Sequence, residues 1–367
     1  MGLTAGIVGL PNVGKSTLFN AITQAGALAA NYPFATIDPN VGVVEVPDDR
    51  LDKLTEIVQP KKTIPTIFEF TDIAGIVKGA SKGEGLGNKF LSHIREVDSI
   101  VQVVRAFDDE NVTHVDGTVD PVRDIETINL ELIFADLEVV EKRLPKIEKK
   151  AQLKVDKDAV AEYAILKLIH DTLMDNQPIR TLKFNANELL VIKNFNFLTI
   201  KPMIYVANII EDEISDYEDN PYVKIIKEYA SNEGSEVVVI SAKIEAELSE
   251  LDAEEKSIFL EDLGVTESGL DKLIRRSYTL LGLETFFTAG VQEVRAWTFL
   301  KGSKAPRCAG VIHTDFEKGF IRAETIKYID FVQFNGEQGA KEAGKARLEG
   351  KEYIVQDGDV MHFRFNV

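Results

Sequence analysis

The run GLPNVGKS, from Gly9 to Ser16, narrows the possible folds of this chain more than any other stretch. It fits G-x-x-x-x-G-K-[ST], a phosphate-binding loop that works only between a strand and a helix. Both flanks comply: Thr4 to Val8 is short and apolar, and Thr17 to Thr23 reads as the start of a helix. Gly9 and Gly14 allow the backbone to close around an anion. Successive N–H groups, through Asn12, Val13 and Gly14 to Thr17, then face phosphate oxygens at a helix N-terminus. In this pattern Lys15 reaches the β- and γ-phosphates as a catalytic group, and the Ser16 hydroxyl ligates Mg²⁺. The alternative is a chance glycine turn ahead of a helix, and the strand–loop–helix context argues against it. A nucleoside triphosphate is the expected ligand.

Near-continuous apolar runs at Ala5–Gly9, Val41–Val46, Ile67–Thr71, Ser99–Val104, Pro202–Ala207 and Glu236–Ser241 alternate with helical stretches. Unbroken rather than alternating hydrophobicity suits a largely parallel sheet covered on both faces, and hence an α/β fold. Such sheets bind ligands at the carboxyl edge of their strands, where the Gly9–Ser16 loop falls. Between Asp124 and Leu198 the period changes. Leu130, Ile133, Leu137, Val140, Leu144 and Ile147 are spaced 3, 4, 3, 4, 3, the stripe of a long helix, with Glu138, Glu141, Lys142 and Arg143 on its other faces. A second helical run, Ala159 to Leu173, is expected to return antiparallel, and Pro145 to kink or interrupt the first. This reads as an α-helical hairpin inserted between two strands, its stripe packing within the chain, since about two and a half heptads is short for an intermolecular coiled coil. Thr266 to Leu281 closes the nucleotide domain as an amphipathic helix, and Val294 to Phe299 opens a separate mixed α+β module. Glu337–Lys351 is expected to form a short helix and turn, and Tyr353–Val367 a hairpin turning at Asp357-Gly358. The expected domains are therefore 1–124 with 199–282, the helical insertion 125–198, and 283–367.

A chain of 367 residues with 44% hydrophobic content has ample material for two or three cores. No apolar run approaches the roughly 18 residues of a membrane span, so no membrane partner is expected. The N-terminal MGLTAGIVGL lacks a basic region and enters the phosphate loop directly, unlike a signal peptide. A single cysteine, Cys308, rules out an internal disulfide, and a cytoplasmic location is expected. The net charge of −18 argues against a nucleic-acid partner, but its distribution weakens that argument. From Leu283 to Val367 there are 12 Lys+Arg and 12 Asp+Glu, so the acidic excess lies wholly in the first 282 residues. A neutral C-terminal module is electrostatically free to meet RNA through a local basic face.

A hydrolytic switch also needs a γ-phosphate sensor, a carboxylate near Mg²⁺ and a base reader. Asp72-Ile73-Ala74-Gly75 follows the Ile67–Thr71 run, so Asp72 is the candidate Mg²⁺ carboxylate and the Gly75 N–H the candidate γ-phosphate donor. Asn31 to Gly42 is turn-rich, and within it Thr36 is the candidate that closes onto Mg²⁺ and the γ-phosphate; the other reading is a surface-loop threonine. After the fifth run come Asn208, Ile209, Ile210 and Glu211, where guanine-reading switches carry N-K-x-D. The lysine is gone and the aspartate is a longer glutamate. A carboxylate at the base N1 suits guanine and repels adenine. Displacing Glu211 makes adenine tolerable and leaves the guanine amine unpaired at about 1–3 kcal/mol. Ser241-Ala242-Lys243 matches the remaining base-contacting loop. Ile76 stands where Ras-like switches hold the glutamine that orients the attacking water, which predicts slow intrinsic turnover. His114, on a polar loop, reaches the phosphates only if that loop folds over them, and by position alone a surface histidine is the preferred reading. The Asn12 amide oxygen is a candidate K⁺ ligand; the preferred reading is a turn residue tolerating positive φ.

PNVGKSTLFNA, the long segment Asp72–Leu91, NIIE in place of N-K-x-D, HTDFEKGFIRAETI (His313–Ile326) and DGDVMHFRFNV together resemble the YchF/Obg-like ATPase family over essentially the full length. The resemblance implies a Ras-like P-loop NTPase domain with a mostly parallel sheet, an inserted α-helical hairpin and a C-terminal TGS domain of β-grasp fold. It implies ATP preferred over GTP through Asn208 and Glu211, a hydrophobic residue at Ile76 in place of the glutamine, and a catalytic role for His114. It also implies the ribosome (large subunit and 70S particle) and/or RNA as partners. The site residues themselves point to Mg²⁺ as cofactor, with K⁺ at Asn12 as a second candidate, and a monomer is expected. The expected function is a ribosome-associated ATPase switch. A GTPase switch using the same site, or an RNA- or ribosome-binding module whose nucleotide turnover is incidental, are the alternatives.

Overall fold

The computed structural model describes residues 3–26, 40–74, 86–109, 112, 117–153 and 156–366. The chain divides into two compact units, Met1–Val43 with Glu69–Lys272, and Val44–Phe68 with Leu273–Val367. Its strands are β1 (Thr4–Gly9), β2 (Val41–Glu45), β3 (Thr63–Ile64), β4 (Ile67–Asp72), β5 (Ser99–Arg105), β6 (Met203–Asn208), β7 (Glu236–Ile240), β8 (Leu283–Ala289), β9 (Val294–Leu300), β10 (Phe320–Lys327), β11 (Arg347–Glu349) and β12 (Asp359–Phe365).

The six apolar runs of the sequence form one sheet, in the order β2-β4-β1-β5-β6-β7. The β1–β4, β1–β5, β5–β6 and β6–β7 pairings are all parallel. Every residue of β5 and of β6 is buried, as strands covered on both faces require. The edge strand β2 runs the other way: Asn40 O accepts from Asp72 N, while Val46 N donates to Thr66 O.

The helical insertion leaves this sheet after β5. Its first helix, Pro121–Gln152, starts with Asp120 accepting from Arg123 N and with proline at a position that needs no N–H donor. The helix runs through Pro145, so the interruption expected there does not occur. Pro145 is exposed, so the lost backbone bond falls on the wet side of the helix. Ile133, Val140 and Ile147 of the stripe are buried, and Leu137 and Leu144 pack beside them. Their partners Ile165, Leu166, Ile169 and Leu173 lie on the returning helix Lys157–Met174, so the stripe is satisfied within the chain.

Buried polar groups fix the root of the hairpin. The Asp136 carboxylate accepts from Leu198 N (2.8 Å), Thr199 N (2.8 Å) and Thr199 Oγ1 (2.7 Å), and burial pushes its carboxyl up to about 6 despite those bonds. Arg180 and Glu233 form an ion pair at 2.9 Å, each side chain 6% exposed, and share Tyr205 as a further partner, while Arg180 also donates to Asn129 Oδ1. Removing one partner of such a pair strands a buried charge, at about 3–5 kcal/mol.

The second unit contains a mixed sheet ordered β11-β10-β12-β8-β9-β3. β8 and β9 form one antiparallel pair, β10 and β12 another, and β12 lies parallel to β8 at the centre. This is the β-grasp arrangement. The helix Ala305–Ile312 covers one face, over Phe286, Phe299, Phe320 and Phe363. The opposite face is covered in part by Leu51 and Leu54 of the helix Asp49–Val58, which pack with Phe287, Val294 and Phe331. The reading of residues 1–124 as one stretch of nucleotide domain did not foresee this: Val44–Phe68 groups with the C-terminal unit because β3 pairs with β9 and its apolar helix face is buried there. The expected hairpin at Tyr353–Val367 is not formed. Gly358 makes the turn at φ 85°, but β12 pairs with β10 and β8, and the segment before the turn contributes only an isolated bridge from Ile354 to Lys304.

The buried Glu245 carboxylate accepts from Gly269 N (2.7 Å) at the start of the helix Gly269–Leu280, and desolvation pushes its carboxyl up to about 7. The folded chain thus retains a proton that the unfolded chain releases near pH 4.5. The resulting stabilisation is complete below that pH and is lost as pH rises through 7. Glu245→Gln keeps a carbonyl acceptor for the cap and should flatten this part of the dependence. The check is the denaturant midpoint of both proteins between pH 5 and 8, with the wild type losing stability more steeply.

Candidate nucleotide site

The phosphate loop leaves β1 and enters the helix Lys15–Gly26, anchored by buried Leu18, Phe19 and Ile22. A Cβ at Gly9 would lie 2.9 Å from Val13 Cγ2 and 3.0 Å from Val103 O. Gly14 sits at φ +94°, and a Cβ there would come within 2.2 Å of Asn208 Nδ2, so both conformation and space demand glycine. Asn12 adopts φ 63°, in keeping with its turn reading. Ser16 and Thr17 are exposed at the mouth of the loop.

Pairing of β1 with β4 puts Ile7 beside Asp72, and Ile73 N donates to Ile7 O at 3.1 Å. Asp72 therefore emerges next to the loop, where its carboxylate forms an ion pair with Lys15 Nζ; the side chains are 25% and 12% exposed. Among the described residues, no group of three or more His, Cys, Asp and Glu converges to hold a metal. The donors present, the Ser16 hydroxyl and the Asp72 carboxylate, are few and hard. They fit Mg²⁺, which keeps water and takes phosphate oxygens for most of its shell.

On the other side of the loop Asn208 is buried, 4% exposed. Its Nδ2 donates to Val13 O (2.9 Å) and its Oδ1 accepts from Ala242 N (2.9 Å). One amide thus fastens the phosphate loop, the end of β6 and the Ser241–Lys243 turn to each other. Ser241 and Ile209 are buried, and Ile209 N donates to Ile240 O at 2.9 Å. The Ile209 side chain packs inside the protein, unlike the lysine stem it replaces. Glu211 is partly exposed, and its carboxylate is ion-paired with Lys243 Nζ. The hydrogen bond from Lys243 holds the Glu211 carboxyl below its ordinary value.

Thr36, Gly75, Ile76 and His114 lie outside the described residues. Two residues that the sequence reading gave no role in the site stand out. Lys243, seen there only as the end of the Ser-Ala-Lys match, engages the Glu211 carboxylate. Arg105, 1% exposed at the end of β5, donates to the carbonyls of Phe107 (3.0 Å), Asp109 (3.2 Å) and Val112 (2.8 Å). These three residues precede His114 in the sequence. An arginine ending an apolar strand was the available signal.

Residues 4–136 match the family model described as "50S ribosome-binding GTPase", and residues 283–366 match YchF-GTPase_C, described as "Protein of unknown function (DUF933)". The chain is 67% identical to the Ribosome-binding ATPase YchF of Bacillus subtilis and 59% identical to that of Haemophilus ducreyi, in both cases over all of each protein. The solved structure of the Schizosaccharomyces pombe YchF GTPase superposes with a TM-score of 0.89 at 42% identity, covering 99% of this chain and 98% of that one.

Asn208→Ala would leave Val13 O and Ala242 N without their partner in a buried setting, at about 1–3 kcal/mol for each group. The expected result is weaker binding of ATP and GTP analogues alike, by about 10-fold or more, because the phosphate loop itself is loosened. Fluorescent-analogue titrations check this; a loss confined to one base would contradict a bracing role.

Proposed function

This chain belongs to the YchF family, and from that premise we propose that it is a ribosome-associated ATPase acting as a nucleotide-dependent switch. It hydrolyses ATP to ADP and phosphate in the cytoplasm, as a monomer, with the ribosome (large subunit and 70S particle) and/or RNA as partner. Three observations support the reading. The relatives that match at full length are named Ribosome-binding ATPase YchF. The phosphate loop enters the helix Lys15–Gly26 with Asp72 ion-paired to Lys15, an arrangement that suits a triphosphate and Mg²⁺. The carboxylate in the guanine-reading place is tied to Lys243, and this observation carries the choice of ATP. Among the described residues, no helix is long and apolar enough to cross a membrane.

In this mechanism the Lys15–Asp72 pair opens on nucleotide binding. Lys15 turns to the β- and γ-phosphates, and Asp72 is released to hold a water of the metal. Mg²⁺, when bound, neutralises charge on the β- and γ-oxygens. Ser16 and Thr36 would ligate it, and the Gly75 N–H would bond a γ-phosphate oxygen. Asn12, Val13, Gly14 and Thr17 line the phosphates. Asn208 and Ala242 set the backbone near the base, with Ser241 and Ile209 behind them. His114 orients or deprotonates the attacking water in place of the missing glutamine, with Arg105 shaping its loop. Loss of the γ-phosphate releases the Thr36 loop and the segment after Gly75. The working domains of this switch are 1–124 with 199–282, less the Val44–Phe68 segment that groups with the C-terminal unit, the helical insertion 125–198 and the TGS domain 283–367, which offers the RNA- or ribosome-facing surface. K⁺ at Asn12 is an accessory proposal, and turnover unchanged on replacing K⁺ with Na⁺ would remove it.

A GTPase switch is the second reading, favoured by the description of the family model matching residues 4–136 and by the name of the S. pombe YchF GTPase. Titration calorimetry with Mg²⁺ and non-hydrolysable analogues separates the two. Tighter binding of the ATP analogue is expected, and tighter GTP binding would reclassify the protein. Lys15→Ala should weaken either analogue by about 100-fold, near 3 kcal/mol. Ribosome co-sedimentation of that variant, if it no longer responds to ATP, supports the switch over a binding module with incidental turnover.

A further inference from the structure

We propose that Lys243 is a specificity-determining residue: by holding the Glu211 carboxylate in an ion pair, it withdraws the group that would read guanine and so selects adenine. The inference rests on the ATPase reading above and deepens it.

Guanine presents two adjacent donors, N1–H and the exocyclic amine, which call for a carboxylate acceptor. Adenine presents an acceptor at N1, which a free carboxylate repels. Glu211 lies three residues beyond Asn208, and Lys243 one residue beyond Ala242. The Asn208 amide joins those two segments to the phosphate loop, which brings the Glu211–Lys243 pair to the base end of the site. The ammonium competes with a purine for the same carboxylate oxygens. Glu211 is an acid among acids: Asp109 also faces it, and Asp212 and Glu247 act on Lys243. A cation there has no shortage of negative charge to hold it in place. The pair is partly exposed, with side chains 65% and 38% accessible, so it is breakable by substitution without disturbing a core. Replacing aspartate by glutamate supplies the extra methylene by which the carboxylate reaches the neighbouring loop.

The test is the ratio of affinities for non-hydrolysable ATP and GTP analogues, measured with Mg²⁺ on the full chain. Lys243→Ala should move the ratio toward GTP by about 10-fold, the scale of one gained or lost base contact. Lys243→Arg should keep the wild-type ratio. The double variant Lys243→Ala with Glu211→Gln should lose most of the shift, because the freed carboxylate is what reads guanine. A purely structural role for Lys243 would weaken both analogues equally and leave the ratio alone. A wild-type ATP preference with an unchanged ratio in Lys243→Ala overturns the role of Lys243 alone. So does an equal shift in the double variant. A wild-type preference for GTP overturns the ATPase reading, and this inference with it.

Discussion

The site hangs on the side chain of Asn208. Its donor end holds Val13 O of the phosphate loop, and its acceptor end holds Ala242 N of the turn after β7. These loops are distant in sequence and come together only at the carboxyl edge of the sheet. The amide is buried and satisfied at both ends, so neither loop can shift without stranding a polar group. Gly14 completes the constraint, since any side chain there would collide with the same amide. The phosphate cradle and the base end of the site are thereby one piece of structure.

Opposed charges do the remaining positioning. Lys15 and Asp72 hold each other beside the phosphate loop, and Glu211 and Lys243 hold each other between the segments that follow β6 and β7. Each pair keeps a charged group satisfied. On the proposed function, the first pair would yield to phosphate, which all nucleotides share, and the second would meet the base.

Much of the architecture is legible in linear order. The six apolar runs fall on the six strands of the nucleotide sheet within a residue or two, because strands covered on both faces, such as β5 and β6, are built mostly of apolar residues. The 3–4 stripe from Ile133 to Ile147 marks a helix face that the returning helix buries. Pro145 does not interrupt the helix, because proline removes a bond only locally and an exposed helix face tolerates the loss. The Asp357-Gly358 turn is also read correctly as a turn, but the strand after it finds its partners in β8 and β10 rather than in the preceding segment. The placing of Val44–Phe68 depends on which apolar surface its helix meets, and no local pattern records that.

By itself, then, the sequence determines what is local: a loop whose glycines and lysine suit phosphate, strands whose composition demands burial, a helix whose period exposes one apolar side. Those follow from backbone sterics and from the periodicity of each element. The tertiary structure alone decides which distant groups meet. It joins Asn208 to two loops, ties Arg105 to three carbonyls ahead of it, and sets Lys243 against Glu211 across 32 residues. The reason is that hydrogen bonds and ion pairs act over a few ångströms in space and carry no trace of their separation along the chain.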